Sequence, residues 1–399
     1  MTLICAGTVV IDGQVCRPGW LQTSGRRILD CGAGTPPGPD CANRPDYADF
    51  PHSVVVPGFI DMHVHGGGGA SYIDASYLDA SHIDASYTEH APATAAGFHL
   101  RHGTTTTLAS LVTVGPAELI AGVRALAEET RQGTIAGIHL EGPWLSPARC
   151  GAHDHTRLRD PDPAEIDAVL AAGGGAIRMV TLAPELPGSQ WAIQRFLDAG
   201  VVVAVGHTDA TYEQTKQAVA LGATVGTHLF NAMPPLHHRE PGPALALLED
   251  PRVTLELIAD GVHVHPAVVH AVIEAAGPDR VALVTDAVAA AGSADGSFRL
   301  GTVPIDVMSG VARVRGTSTI AGSTATMDQL FRTVAGFGTD SDACLAAAVQ
   351  MTSATPARAL RLDRVGKLLP GYDANVLLLD ESRVIAVMVD GEWVTAEDD

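Results

Sequence analysis

The sequence of 399 residues has very little lysine and few aromatic side chains. Lysine occurs only at Lys216 and Lys367, aromatic residues make up 5% of the chain, and the formal net charge is −20. A surface that binds nucleic acid or an anionic membrane needs clustered lysine and arginine, so both classes of partner are disfavoured. Because aromatic residues are scarce, Val, Ala and Leu must fill most of the core.

The sequence also lacks long hydrophobic runs and paired cysteines. The absence of a run of about 18 apolar residues argues against a membrane span, and the first residues lack the pattern of a signal peptide. Six scattered cysteines without a Cys-x-x-Cys pair indicate neither a zinc finger nor a disulfide framework. We therefore expect a cytoplasmic protein. Cys150 is interpreted as an exposed bystander thiol, and a redox role for it is left open.

From residue 54 onwards the sequence alternates short, β-branched apolar runs with helical patterns. Nearly continuous apolar runs are typical of strands that are buried on both faces of a parallel sheet. Eight such strand–helix units predict an α/β protein with a (β/α)8 TIM-like barrel. A doubly wound open sheet is the alternative, but no glycine-rich phosphate-binding fingerprint follows any of the runs.

The two chain ends differ from this middle part because they contain short β runs without helical patterns. We expect residues 1–53 and 354–399 to form one small, discontinuous β-sandwich domain, with a barrel of residues 54–353 inserted between them. Residues 293–319 are predicted to form a hairpin after the eighth strand. Residues 70–89 repeat a five-residue ASYID unit, whose period fits neither a helical stripe nor one strand face. We interpret the repeat as a loop expansion, with a lid or an oligomer contact as the alternative.

Imidazole and carboxylate side chains lie where several of the apolar runs end. In a (β/α)8 barrel this end of the strands carries the active site, and a buried carboxylate is costly unless it is paired or binds a metal. The set therefore predicts a site for one or two divalent ions. The residues are His63, His65, Glu141, His207, His228 and Asp286.

Longer motifs around these residues identify a family. PGFIDMHVHGGGG, HLEGP, VGHTDATYEQ, THLFNAM, REPG and LVTDAVAAAG occur in this order. Over nearly the whole chain the sequence resembles the N-acetylglucosamine-6-phosphate deacetylase family of the amidohydrolase superfamily. The resemblance implies metal-dependent hydrolysis of the N-acetyl group of N-acetylglucosamine 6-phosphate, which gives glucosamine 6-phosphate and acetate in amino-sugar catabolism and cell-wall recycling.

The resemblance also implies how the ions are held. Hydantoinase-like relatives bridge two metals with a carbamylated lysine on the fourth strand, which has no lysine here, so Glu141 takes the bridging place. Zinc is the expected metal, with iron, manganese and cobalt as alternatives. The expected ligands of the first ion are Glu141, His207 and His228, and those of the second are His63, His65, Glu141 and Asp286.

Catalytic and substrate-binding roles follow from the same resemblance. Asp286 is expected to take a proton from the attacking water and to return it to the departing amine, and His153 to stabilise the oxyanion. Asn231, the backbone N–H of Ala232 and Arg239 are expected to bind the phosphate. His263 is expected to contact the sugar hydroxyls. In the family this arginine can reach the site of a neighbouring subunit, so we expect a homodimer.

Two other functions are compatible with a metal-ligating barrel. A deaminase or a cyclic-amide hydrolase would use similar ligands without a phosphate-binding motif. A non-catalytic barrel protein is less consistent with the sequence, because such proteins usually lose ligands and this chain keeps all six.

Overall fold

The computed structural model describes residues 1–37, 47–72 and 91–394, so most of the ASYID repeat lies outside the described residues. The strands, in chain order, are β1 (Thr2–Ile11), β2 (Gln14–Cys16), β3 (Gly19–Ser24), β4 (Arg27–Ala33), β5 (Tyr47–Pro57), β6 (Phe59–Asp61), β7 (Gly66–Gly67), β8 (Ala70–Ser71), β9 (Thr104–Leu111), β10 (Gly137–Glu141), β11 (Ile177–Leu182), β12 (Val202–Val205), β13 (Val225–Gly226), β14 (Thr254–Leu257), β15 (Val281–Leu283), β16 (Gly296–Leu300), β17 (Val303–Met308), β18 (Val311–Val314), β19 (Val376–Asp380), β20 (Arg383–Val389) and β21 (Glu392–Val394).

Helices follow most of the strands in the middle of the chain. They are α1 (Ala91–Arg101), α2 (Pro116–Gln132), α3 (Pro163–Gly173), α4 (Ser189–Asp198), α5 (Tyr212–Leu221), α6 (Gly242–Glu249), α7 (Pro266–Ala276), α8 (Met327–Ala335), α9 (Ser341–Val349) and α10 (Thr355–Ala359), with a 3₁₀ turn at Pro147–Arg149 and a π-helical turn at Gln350–Ala354. Among the described residues, no helix has the length and apolarity needed to cross a bilayer.

The barrel sheet contains eight strands in the order β15-β14-β13-β12-β11-β10-β9-β6. Neighbouring strands from β9 to β15 pair in parallel, as β10 does with β11 and β14 does with β15. Strands such as β12 and β14 are buried at every residue, which explains why their sequences are apolar on both faces.

The first and last strands of this sheet are joined by hydrogen bonds beyond their ends. The N–H of Asp286 donates to the carbonyl of His63, and the N–H of His65 donates to that of Ala287, both at 2.8 Å. The hydroxyl of Thr285 donates to the carboxylate of Asp61 at 2.5 Å. These contacts close the sheet, and the predicted (β/α)8 fold class is confirmed.

The first barrel strand is shorter than the sequence pattern predicts. The apolar run VVVPGFIDMHVHG predicts one strand, but β6 ends at Asp61, and the preceding valines belong to β5. Pro57 lacks an N–H for a strand ladder, and a Cβ on Gly58 would lie 2.1 Å from Thr105 Oγ1. The Pro–Gly pair therefore separates two strands that the apolar pattern joins.

Helix ends agree with local sequence signals. Pro116 begins α2, the N–H of Gly115 donates to Glu118 Oε2 at 2.7 Å, and Gly133 ends the helix with φ 85°. At the start of α5, Thr211 and Gln214 accept each other's backbone N–H groups. Such reciprocal caps satisfy the donors that the first turn of a helix leaves unpaired.

The two chain ends form one sheet of their own. Its strands run in the order β21-β20-β19-β5-β1-β3-β4, with β2 paired to β1. Strand β5 is parallel to β1 and antiparallel to β19, so it joins the N-terminal strands to the C-terminal ones. Ile4, Leu21, Val55, Leu378 and Met388 are among the residues of its buried core. The predicted small β unit from both chain ends is thus confirmed as part of the fold class.

The described residues group into two compact units. One contains residues 1–60, 99–106 and 327–399, and the other contains residues 61–98 and 107–326, apart from those that the structure does not describe. The exact domain boundaries at 53/54 and 353/354 stay a prediction. Within the second unit, β16, β17 and β18 form an antiparallel sheet in the region predicted as a hairpin.

Candidate metal centre and active site

Six side chains predicted to bind metal lie together just beyond the barrel strands. They form two groups, and in each group the three ligand atoms lie within 4.8 Å of one another. All six residues are buried. The first group is Glu141, His207 and His228, and the second is His63, His65 and Asp286.

The carboxylate of Glu141 faces both groups. Its Oε1 lies 3.1 Å from Nε2 of His207 and 3.0 Å from Nε2 of His228. The same oxygen lies 3.3 Å from Nε2 of His63, and Oε2 lies 3.2 Å from Nε2 of His65. Burial raises the pKa of Glu141, but His63 and the neighbouring histidines outweigh this effect and hold the pKa well below its usual range. One ionised carboxylate therefore lies between the two groups.

Three of the histidines turn Nε2 towards this carboxylate and hold Nδ1 against an acceptor. The Nδ1 of each contacts an oxygen that can only accept a hydrogen bond, so in the neutral ring Nδ1 carries the proton and Nε2 carries a lone pair. This is the tautomer that a metal ligand needs. The contacts are His63 Nδ1 to Glu256 Oε2 (3.0 Å), His65 Nδ1 to the Ser110 carbonyl (3.1 Å) and His207 Nδ1 to the Arg149 carbonyl (2.9 Å).

The arrangement of these atoms fits a divalent cation. The Nε2 atoms of His207 and His228 lie 3.0 Å apart, and both lie beside the same oxygen of Glu141. His63 Nε2 is buried and has no hydrogen-bond partner among the residues that the structure describes. Electron-rich atoms converge in this way where a cation binds between them, and mixed imidazole and carboxylate ligands suit zinc, iron, manganese or cobalt.

His153 lies beside this cluster but has the opposite tautomer. Its Nδ1 accepts the backbone N–H of Thr113 at 3.2 Å, so the ring proton is on Nε2, which lies 3.3 Å from Glu141 Oε2. Burial and the neighbouring His207 lower the pKa of His153 to about 4. His153 is thus a neutral hydrogen-bond donor, whereas the other three rings are suited to be ligands.

Asp286 lies beside the two histidines of the second group. Its Oδ1 lies 3.2 Å from Nε2 of His65 and 3.6 Å from Nε2 of His63. Burial raises the pKa of Asp286, but His63 and His65 outweigh this effect and lower it well below its usual range. A buried, ionised carboxylate at this position can accept a proton from a group in the adjoining cavity.

Several site residues have a left-handed backbone that L-residues rarely adopt. The φ angles are 46° at His207, 27° at His228, 48° at Asp286 and 50° at Ala232. Each such conformation costs on the order of 1–3 kcal/mol and persists only where surrounding contacts hold it. The chain turns sharply just after β12, β13 and β15, and these turns aim the side chains of His207, His228 and Asp286 into the site.

A cavity of about 290 Å³ opens beside these groups. Three of the four residues predicted to bind substrate line it, namely Asn231, Ala232 and His263. The fourth, Arg239, is exposed and contacts His238 Nε2 at 2.7 Å. The structure does not bring Arg239 to the cavity of its own chain.

The sequence analysis missed two buried residues behind the ligands. Glu256 accepts from His63, and His139 contacts Ser110 Oγ at 2.9 Å and Thr181 Oγ1 at 2.8 Å. Each is a polar residue between two apolar residues of a buried strand. That isolated polarity is the only sequence signal that distinguishes them.

The fold and the two ligand groups together define a class. The model of the amidohydrolase family matches residues 54–394. The chain belongs to the amidohydrolase family.

Relatives of known activity are similar over most of their length. An N-acetylglucosamine-6-phosphate deacetylase of Lysinibacillus sphaericus is 36% identical, over 82% of this chain and 81% of that protein. An N-acetylgalactosamine-6-phosphate deacetylase of Escherichia coli O157:H7 is 34% identical, over 91% and 92%. A solved structure of a mutant N-acetyl-D-glucosamine-6-phosphate deacetylase from Mycobacterium smegmatis, in complex with N-acetyl-D-glucosamine-6-phosphate, is 50% identical over 99% of each chain, with a TM-score of 0.92. The predicted family resemblance is confirmed.

We expect His153 to stay neutral, with its proton on Nε2, from about pH 6 to about pH 8, because its pKa is lowered to about 4. Protonation should begin only as the pH falls towards that value. Nitrogen-15 histidine NMR of the protein and of a His153→Gln variant assigns the signal and reports the tautomer. A doubly protonated ring at neutral pH would contradict this assignment.

Proposed function

We propose that this chain hydrolyses the N-acetyl group of N-acetylglucosamine 6-phosphate, giving glucosamine 6-phosphate and acetate. The proposal is carried by one observation: side chains of both ligand groups line a single cavity in a chain of the amidohydrolase family. The similar structure from Mycobacterium smegmatis, which contains that sugar phosphate, supports this substrate.

The metal ligands are the first part of the proposal. The expected first ion binds Glu141, His207 and His228, and the second binds His63, His65 and Asp286, with Glu141 between them. Zinc remains the preferred metal for these ligands. A bound divalent ion lowers the pKa of water and polarises a carbonyl oxygen. The ring orientations support this assignment, because three rings hold Nδ1 against an acceptor and turn Nε2 towards Glu141.

The protein's own groups then move the proton and hold the developing charge. Asp286, ionised and next to the cavity, accepts the proton of the attacking water and later gives it to the departing amine. The Nε2–H of His153 donates to the oxygen that becomes negative in the transition state. The ring of His153 is neutral and carries its proton on Nε2. It can therefore donate this hydrogen bond without any prior proton transfer.

The sugar phosphate is the next part of the proposal. His263 Nδ1 contacts Asp260 Oδ2 at 2.7 Å, which fixes the ring that we propose to contact the sugar hydroxyls. Asn231 and the N–H of Ala232 are proposed to bind the phosphate. Arg239 is exposed and lies away from the cavity of its own chain, so its proposed phosphate contact requires a second subunit. We therefore keep the homodimer, and the cytoplasm as the compartment, as proposals.

The decisive assay measures acetate release. We expect the purified protein to release acetate from N-acetylglucosamine 6-phosphate, to lose this activity with a chelator and to regain it with added zinc. N-acetylgalactosamine 6-phosphate is the essential comparison, because one relative is named for that substrate. Higher kcat/KM for the galactosamine epimer would change the assigned substrate. Ammonia release from nucleobases, with no acetate from either sugar, would replace a deacetylase by a deaminase.

Replacing Asp286 with Asn should remove turnover while leaving a ligand oxygen for the metal. Because one carboxylate serves as base and acid, we expect kcat to fall roughly 10²–10⁴-fold. Elemental analysis should show unchanged metal content. Asp198→Asn, an exposed substitution on α4, is the matched control. Near-normal kcat in Asp286→Asn would exclude Asp286 from proton transfer.

Replacing Arg239 with Ala tests the proposed phosphate contact. Loss of one charge-assisted hydrogen bond is worth about 1.5–3 kcal/mol, so KM for the phosphorylated sugar should rise roughly 10–100-fold. KM for unphosphorylated N-acetylglucosamine should change little. Arg124→Ala, exposed on α2, controls for the loss of a surface arginine. An equal rise in KM for both sugars would rule out phosphate recognition by Arg239.

A further inference from the structure

We propose that Glu256 is a positioning residue that holds both metal-ligating groups in a fixed arrangement and strengthens ion binding by the group of His63, His65 and Asp286. The inference rests on the metal-dependent function proposed above. It concerns a residue that contacts the ligands from behind and does not line the substrate cavity.

Glu256 reaches one ligand from each group. It lies in β14 and is fully buried. Its Oε2 lies 3.0 Å from Nδ1 of His63, in the second group, and accepts the backbone N–H of His228, in the first group, at 3.1 Å. A single carboxylate oxygen therefore connects the two groups.

The contact with His63 determines what that ring offers to an ion. An ionised Glu256 can only accept, so Nδ1 of His63 carries a proton, and Nε2, which faces Glu141 and Asp286, is the nitrogen left to bind an ion. A carboxylate behind a ligating imidazole fixes the ring's orientation and raises its basicity. Without Glu256, His63 would be free to adopt the tautomer that places a proton where the ion binds.

The contact with His228 supports a strained turn. His228 has φ 27°, and the next residue, Leu229, donates its N–H to the backbone carbonyl of Glu256 at 2.9 Å. Two consecutive N–H groups of this turn are thus held by one residue of the neighbouring strand. The position of His228 beside Glu141 depends on this support.

The side chain of Glu256 is buried and has few polar partners, which its place behind a metal ligand explains. Among the described residues, its side chain forms an ion pair only with His63, and its Oε1 has no hydrogen-bond partner. A buried carboxylate with so few partners is costly. A cation held by Nε2 of His63 would make the Nδ1 proton a stronger donor to Glu256 and would thus compensate a carboxylate there through the imidazole ring.

The test compares ion binding to metal-free protein carrying Glu256→Gln or Glu256→Met. Gln keeps an acceptor and loses the charge, whereas Met keeps the approximate size and loses both. Titration with Co²⁺ and with Zn²⁺ against a competing chelator measures each binding step, and the absorption of bound Co²⁺ reports ligand geometry. Glu274→Gln, on the exposed face of α7, is the matched control.

We expect wild type to bind two ions. The second step should weaken about 10-fold in Glu256→Gln and about 100-fold in Glu256→Met, following the usual effect of losing such a partner. The first step should change less, and the melting temperature of the metal-free Gln variant should stay near that of wild type. The control should match wild type in both steps.

Several results would overturn the inference. Wild-type affinity for the second ion in both variants would show that Glu256 does not position the ligands, while acetate release by wild type would leave the proposed function intact. Equal weakening of both steps together with a lower melting temperature of the metal-free protein would show general structural support instead. If Glu256→Met does not fold, Glu256→Gln decides. A wild-type protein that binds one ion and releases acetate would refute this inference alone, whereas one that binds no ion and releases no acetate would refute the proposed function.

Discussion

The site depends on hydrogen bonds made by imidazole nitrogens that face away from it. A neutral histidine binds a cation through Nε2 when Nδ1 holds the proton, and an acceptor behind the ring favours that tautomer. His63, His65 and His207 each have such an acceptor. His153 instead has a backbone N–H behind it, which turns a chemically identical side chain into a donor. Whether one of these histidines is suited to be a metal ligand or a hydrogen-bond donor therefore depends on the partner behind its ring.

The barrel provides these partners because neighbouring strands end at the same level. The acceptor for His65 is a carbonyl on β9, that for His63 is a side chain on β14, and Glu141 lies at the end of β10. Parallel pairing places such strand ends around one rim, although they are far apart in sequence. A shift of one residue in a strand would exchange its inward and outward faces, so the register of the sheet and the chemistry of the site are specified together.

The sequence was sufficient to predict the fold class and to predict which imidazole and carboxylate side chains lie together at the barrel rim, because both produce local patterns. Apolar runs indicate buried strands, and a polar residue that ends such a run indicates the rim of a barrel. The role of Glu256 could not be predicted in this way, because its partner His63 is 193 residues away and periodicity does not show which side chain lies behind another. The end of β6 at Asp61 was also missed, because the apolar pattern continues through Pro57 and Gly58. The exposed position of Arg239 depends on a loop conformation that no repeat in the sequence specifies.

The left-handed backbones at His207, His228 and Asp286 have a consequence for heat resistance. Without an ion, the backbone strain of these residues and the repulsion among the clustered carboxylate and imidazole groups favour local unfolding of the site. Ion binding favours the folded state by mass action. Thermal denaturation is then governed partly by the free ion concentration of the medium. Tighter ion binding would therefore raise thermal stability without a larger hydrophobic core.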